Sequence, residues 1–220
     1  MPPLETLIAF AAATALFAFL PGPALLYTAA RTIAGGRRAG FAAAFGIHIG
    51  CYAHVFAAAL GLSAIFAEAP TAYAALKIAG ALYLGWLGLG LLREAARRGE
   101  SALDAGLLKD AVRRAPKAPR HAFAESVLVE LLNPKVALFF IAFLPQFVDP
   151  SFGWPVWAQL LILGVIVNLS FTTADLLAAL FTDRLSRAVR GAGWGERVAK
   201  ALGGATLLGL GAHLAFSRDP

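Results

Sequence analysis

Six apolar runs, each near the roughly 20 residues that cross a bilayer as a helix, occupy 5–29, 40–66, 71–92, 123–148, 154–181 and 198–216. Charge ties them to one topology. Of the 19 Lys and Arg residues, three lie at 31–38 (Arg31, Arg37, Arg38), eight at 93–120 (Arg93, Arg97, Arg98, Lys109, Arg113, Arg114, Lys117, Arg120) and five at 184–200 (Arg184, Arg187, Arg190, Arg197, Lys200). These are alternate connections; the intervening ones, 67–70 and 149–153, hold no Lys or Arg. Cytoplasmic loops carry the excess of Lys and Arg, so both termini are expected outside. Only 15% of the chain is charged and 59% is hydrophobic, against about 25% charged for a soluble domain. The chain therefore reads as an all-α integral membrane protein of six transmembrane helices. The net charge of +6 reports topology, with an added attraction to anionic lipid, and a nucleic-acid role is set aside. The first run is expected to be a span rather than a signal peptide, since Met1-Pro2-Pro3-Leu4-Glu5 supplies no basic leader. The single cysteine, Cys51, lies inside a run and permits no disulfide within the chain.

A basic cytoplasmic connection, 93–122, divides the chain into 1–92 and 123–220. Its Arg93–Arg98 segment suits a short surface helix, and Pro116 and Pro119 suit an extended stretch after it. Three spans per half is odd, so the halves must have opposite orientation, the plan of two inverted three-helix repeats. Ala18-Phe19-Leu20-Pro21 recurs as Ala142-Phe143-Leu144-Pro145 and is read as a trace of that repeat. Glycines such as Gly46, Gly50, Gly85, Gly88, Gly90, Gly204, Gly209 and Gly211 suit close helix packing, and exposed small-residue faces would permit a homodimer. Trp154, Trp157 and Trp194 stand at span ends as an aromatic belt.

Two of the runs are broken. Asn133-Pro134-Lys135 interrupts the fourth and Pro21-Gly22-Pro23 the first. A lysine at mid-membrane costs about 2.5–3.5 kcal/mol on insertion scales, and a proline removes a helix hydrogen bond. Broken spans in corresponding positions of two halves are a pointer to a transporter's binding site. At the helical rise, Asn133 and Lys135 lie about 15–18 Å from the cytoplasmic ends and Pro21 to Pro23 about 12–15 Å. Asn168 and His48 fall in the same layer, with Glu130 and Asp175 slightly below. Such a layer suits a zwitterion. Lys135 and the free N–H groups of restarting helices suit a carboxylate. Glu130, Asp175 and freed carbonyls suit an ammonium group, and either acid could carry a coupled proton. The plainer alternative makes Lys135 a cap or the ion-pair partner of Glu130 or Asp175.

Other polar residues invite weaker readings. Glu125 suits a solvated helix end, and Lys77 can snorkel outward. His48, Cys51 and His54 lie on one helix, but the two histidines are about 240° apart around it, so packing with hydrogen bonds outweighs a metal site. Ser63, with His54 or His213 as base, would make an imperfect hydrolase nucleophile. A passive scaffold would tolerate neutralisation of the midplane charges.

These motifs resemble those of the LysE/RhtB family of amino-acid exporters over nearly the whole chain. The N-terminal matches are Phe19-Leu20-Pro21-Gly22-Pro23, Gly36-Arg37-Arg38-Ala39-Gly40, Gly46, Gly50, Gly61-Leu62 and the Lys77 to Gly88 stretch. The C-terminal ones are Leu131-Leu132-Asn133-Pro134-Lys135, Ala137 to Phe140 and Phe143-Leu144-Pro145-Gln146-Phe147-Val148. Glu130, where relatives commonly carry a small or amide residue, and Ser126, where a glycine is expected, depart from the pattern. The resemblance implies a six-span carrier of the bacterial inner membrane that exports amino acids or related metabolites. It is presumed proton-coupled and has no cofactor and no enzymatic activity. A metal-ion or other small-solute exporter using His48, Cys51, Glu130 or Asp175 is the alternative within the same architecture. The substrate-binding set is then Pro21, Gly22, Pro23, Asn133, Pro134, Lys135 and Asn168, with Glu130 and Asp175 for coupling.

Overall fold

A computed structural model describes residues 4–20, 22–68, 70–96, 118–190, 201–202, 204–209 and 211–212. Among the described residues every regular element is helical. α1 (Leu4–Phe19) is followed by α2 (Pro23–Phe56), a π-helical turn (Ala57–Leu62), α3 (Ser63–Glu68) and α4 (Pro70–Ala96). The second half holds α5 (Pro119–Leu131), α6 (Pro134–Phe143), a 3-10 turn (Leu144–Phe147) and α7 (Val156–Arg190). Residues 204–209 and 211–212 are helical too. Pro23, Pro119 and Pro134 each open a helix in its first turn, where the missing N–H costs nothing and φ is already set.

α2 is not one straight rod. Gly36 has φ 74° and ψ 178°, a conformation that only glycine adopts readily. The chain reverses there. Tyr27 and Arg31 reach Ala122 and Ala118 of α5, running against it, whereas Gly46 and Gly50 lie on Phe123 and Val127, running with it. Gly40 packs directly on Thr32, impossible in a straight helix, where eight residues separate positions by about 12 Å. The basic connection expected between 29 and 40 is thus a single-residue turn, and Arg31 lies on a helix rather than in a loop. Helix-permissive residues on both sides and one glycine suffice for the reversal.

Three further helix pairs run antiparallel. Phe17 stacks on Phe139 at 3.8 Å and Phe10 on Phe143 at 5.6 Å, setting α1 against α6. Gly40 meets Ala179 and Val55 meets Gly164, setting 37–56 against α7. Gly88 and Gly211 meet Gly204 and Ala81, setting α4 against the last helical residues. Any Cβ at Gly88 or Gly204 would lie 2.7 Å from the other's carbonyl oxygen, the close approach that small residues allow between membrane helices. Gly61, Gly85, Gly90 and Gly209 face open space instead, so close packing does not explain them.

Two stretches are long and apolar enough to cross a bilayer, Pro23–Ile65 and Val156–Phe181, and a third if Pro119–Leu131 and Pro134–Phe147, bent by 47°, form one broken span. Glu5–Phe19 and Ile78–Arg93 are shorter apolar helices. At 43 residues Pro23–Ile65 is about twice what one crossing needs, and its reversal at Gly36 divides it. Large apolar side chains point outward all round, among them Leu60, Leu82, Trp86 and Leu132, each about two-thirds exposed or more. A surface this apolar belongs in lipid. The repeated Ala-Phe-Leu-Pro stands at a helix end both times. α1 closes at Phe19 and α6 at Phe143, after which Leu144 and Pro145 open the 3-10 turn. Trp194 and most of the connection 93–122 lie outside the described residues.

Candidate functional site

The two breaks face each other. In a continuous helix the Leu20 carbonyl would accept from residue 24; the break removes that partner. Lys135 Nζ replaces it, donating to Leu20 O at 2.9 Å, and lies 4.4 Å from the centroid of the Phe17 ring. The lysine therefore caps the severed end of α1 from the other half of the molecule. No carboxylate forms an ion pair within 4.0 Å of it among the described residues, so the ion-pair alternative for Lys135 does not hold in this conformation.

Asn133 organises the second break. It is the N-cap of α6, and its Oδ1 accepts from the Lys135 amide at 3.2 Å. Its Nδ2 donates to Glu130 Oε2 at 2.9 Å. This corrects one expectation: the N–H of Lys135 is taken by the cap rather than left for a ligand. The start of α2 differs. Gly22 has no side chain to cap with, Pro23 has no N–H, and Leu26 N bonds Gly22 O. Ala24 and Leu25 come next, and both line the cavity between the breaks.

That cavity is about 30 Å³ and is walled by Phe17, Leu20, Gly22, Ile47, Val136 and Phe171, with Glu130, Asn133, Lys135 and Asp175 as its polar groups. Glu130 and Asp175 are 1% and 3% exposed. The Cys51 thiol approaches Glu130, and Thr28 faces Asp175. Cation and carboxylates thus share one enclosure without touching. A volume near 30 Å³ holds about one water, far below the roughly 300–1,000 Å³ of a ligand site. In this conformation the cavity is too small for an amino acid.

The other expected residues divide. Pro23 and Pro134 are exposed and act by starting helices. Pro21 lies outside the described residues. Asn168, buried, does not line the cavity: its Nδ2 donates to the His48 carbonyl at 3.2 Å, tying α7 to α2. His48 Nδ1 pairs with Thr172 Oγ1 at 2.8 Å and His54 Nε2 with the Glu130 carbonyl at 2.8 Å. Both histidines serve helix packing. The Ser63 hydroxyl donates to the Leu60 carbonyl at 3.4 Å, with no histidine against it among the described residues. Glu125 is exposed and accepts from the Tyr27 hydroxyl at 2.8 Å. The Lys77 side chain and His213 lie outside the described residues. Three residues were not anticipated: Phe17 under the lysine, Thr28 facing Asp175, and buried Arg31. Only the orphaned Leu20 carbonyl, implied by Pro21 to Pro23, signalled the first.

Comparison with known proteins settles the class. The LysE type translocator family matches residues 15–218. The chain belongs to that family. A homoserine/homoserine lactone efflux protein of Salmonella typhimurium is 32% identical over 97% of this chain and 98% of its own length. An uncharacterized membrane protein of Pseudomonas aeruginosa is 34% identical over 85% of this chain and 81% of its own. A leucine efflux protein of Enterobacter is 32% identical over 60% and 58%. No solved structure matches. As a LysE type translocator the chain is a multi-pass membrane transporter and not an enzyme.

Proposed function

We propose that this protein exports amino acids across the bacterial inner membrane, binding the zwitterion between the two broken helices. The observation that carries the reading is the enclosure itself. Lys135 stands at the uncapped start of α2, and Glu130 and Asp175 stand unpaired with it in the same cavity. The substrate carboxylate takes Lys135 Nζ and the first free amides of α2, where a helix N-terminus favours an anion. Its ammonium group takes Glu130 and Asp175. The homoserine and leucine efflux relatives support this substrate class.

Six spans in two inverted three-helix repeats, termini outside, is the topology we propose, supported by the antiparallel pairing of α1 with α6, of 37–56 with α7, and of α4 with residues 204–211. Alternating access then rocks one repeat against the other about the facing breaks, opening a cavity now too small for substrate. A proton carried by Asp175 or Glu130 couples export to the proton gradient. Proteoliposomes preloaded with homoserine or leucine test the reading: labelled substrate should accumulate by counterflow with the intact protein and not with Lys135→Ala. Absence of counterflow for every amino acid, with correctly inserted protein, would overturn it.

A further inference from the structure

Arg31 is fully buried, yet neither Nε nor Nη1 meets a hydrogen-bond partner. Nη2 makes one long contact, 3.4 Å, to the Ala118 carbonyl. The guanidinium carbon lies 5.9 Å from the centroid of the Tyr27 ring. No carboxylate comes within 4.0 Å of it among the described residues, and nearby Glu125 is held by the Tyr27 hydroxyl. A buried cation without a partner is costly, so this arrangement asks for an anion.

The surroundings ask for the same thing. Ala118 is the N-cap of α5 and offers no side-chain cap. A helix N-terminus carries partial positive charge, so a guanidinium beside it is unfavourable unless an anion bridges them. Arg120 and His121 follow, both exposed. The place lies six residues beyond Leu25, which lines the central cavity, about 9 Å along the same helix, towards the basic turn at Gly36 to Arg38.

We propose that Arg31 and the N-terminus of α5 form a second carboxylate site on the cytoplasmic side of the cavity. The substrate occupies it before its carboxylate passes to Lys135. The planar fork of arginine matches a carboxylate with two parallel hydrogen bonds; Nη2 shares one edge with Nε and the other with Nη1, and its single long contact to the Ala118 carbonyl leaves one of those edges open. The site rests on the amino-acid export reading for its ligand, but its anion chemistry does not.

Two arms test it. In the first, purified intact protein, Arg31→Met and Lys135→Ala are melted in neutral-lipid nanodiscs across a sodium acetate series at constant ionic strength. Acetate should raise the melting temperature of the intact protein and Lys135→Ala, and Arg31→Met should lose at least two-thirds of that rise. An undiminished rise in Arg31→Met, or none in the intact protein, overturns the site. In the second, inside-out vesicles take up homoserine, leucine and their amides. Arg31→Met and Arg31→Lys should raise the half-saturation concentration of the acids at least tenfold and leave the amides within twofold. An equal loss for acids and amides marks a structural role and overturns the proposal. Should Arg31→Met fail to insert, Arg31→Lys, which keeps the charge and loses the fork, carries both comparisons. If the intact protein moves neither acid while acetate stabilisation still needs Arg31, the anion site stands and the export reading falls. An Arg31 dependence seen only with phosphatidylglycerol present assigns the site to lipid phosphate and overturns it.

Discussion

Lys135 performs two tasks that substitution can separate. Its ammonium caps the Leu20 carbonyl, and its charge faces the cavity. Lys135→Ala leaves that carbonyl unpaired, at about 1–3 kcal/mol for a buried group, and removes the charge. Lys135→Gln keeps a donor and removes only the charge. Thermal melting should therefore show the glutamine variant closer to the intact protein than the alanine variant, while transport falls at least tenfold in both. Full transport by Lys135→Gln would reduce the lysine to a cap. Asn133→Ala should cost about 0.5–2 kcal/mol, the loss of an N-cap, and should also free Glu130 from its amide partner. A melt and a substrate titration on one preparation would separate the two effects. Lys135 and Asn133 were legible in the sequence because a proline beside a charge in an apolar run has few other uses. Arg31 was not: its position among helix formers before a glycine looked like the start of a basic loop.

At the scale of elements, glycines decide the fold at two points. A residue at 36 with a Cβ would be strained by φ 74°, not by crowding, since nothing lies within 4 Å. Gly36→Ala should destabilise by about 1–3 kcal/mol, seen as a lower melting temperature with the membrane topology intact. Gly46 is the opposite case. A Cβ there would overlap Ser126 Oγ and the Phe123 carbonyl oxygen, so Gly46→Ala must push α5 away from α2. Ser126→Gly should relieve only the side-chain part of the clash, leaving yield in the membrane low. The departure at Ser126 is accommodated because Gly46 faces it and its hydroxyl is spent on Phe123 O at 2.8 Å. The breaks were readable from proline, and a reversal between 29 and 40 from its basic residues; that one positive-φ glycine makes the whole turn was not.

At the scale of the molecule, the antiparallel pairing makes a topological prediction. Cys51 is the sole cysteine and is buried, so a Cys51→Ala background suits cysteine labelling. A membrane-impermeant maleimide on whole cells should label Ser151→Cys and should spare Arg38→Cys until the membrane is opened. Labelling of both in intact cells would contradict the inverted arrangement. Alternate placement of basic residues is the sequence's argument for that proposed topology, because charge resists translocation whatever the helices do. The handover of the Leu20 carbonyl to Lys135 needs contact between residues 115 positions apart, and local pattern does not encode that.

The most direct measurement is the profile of metabolites outside cells producing the protein, set against cells producing Lys135→Ala at equal membrane level. One or a few amino acids should accumulate outside only with the intact protein. An identical profile in the two cultures would contradict the account.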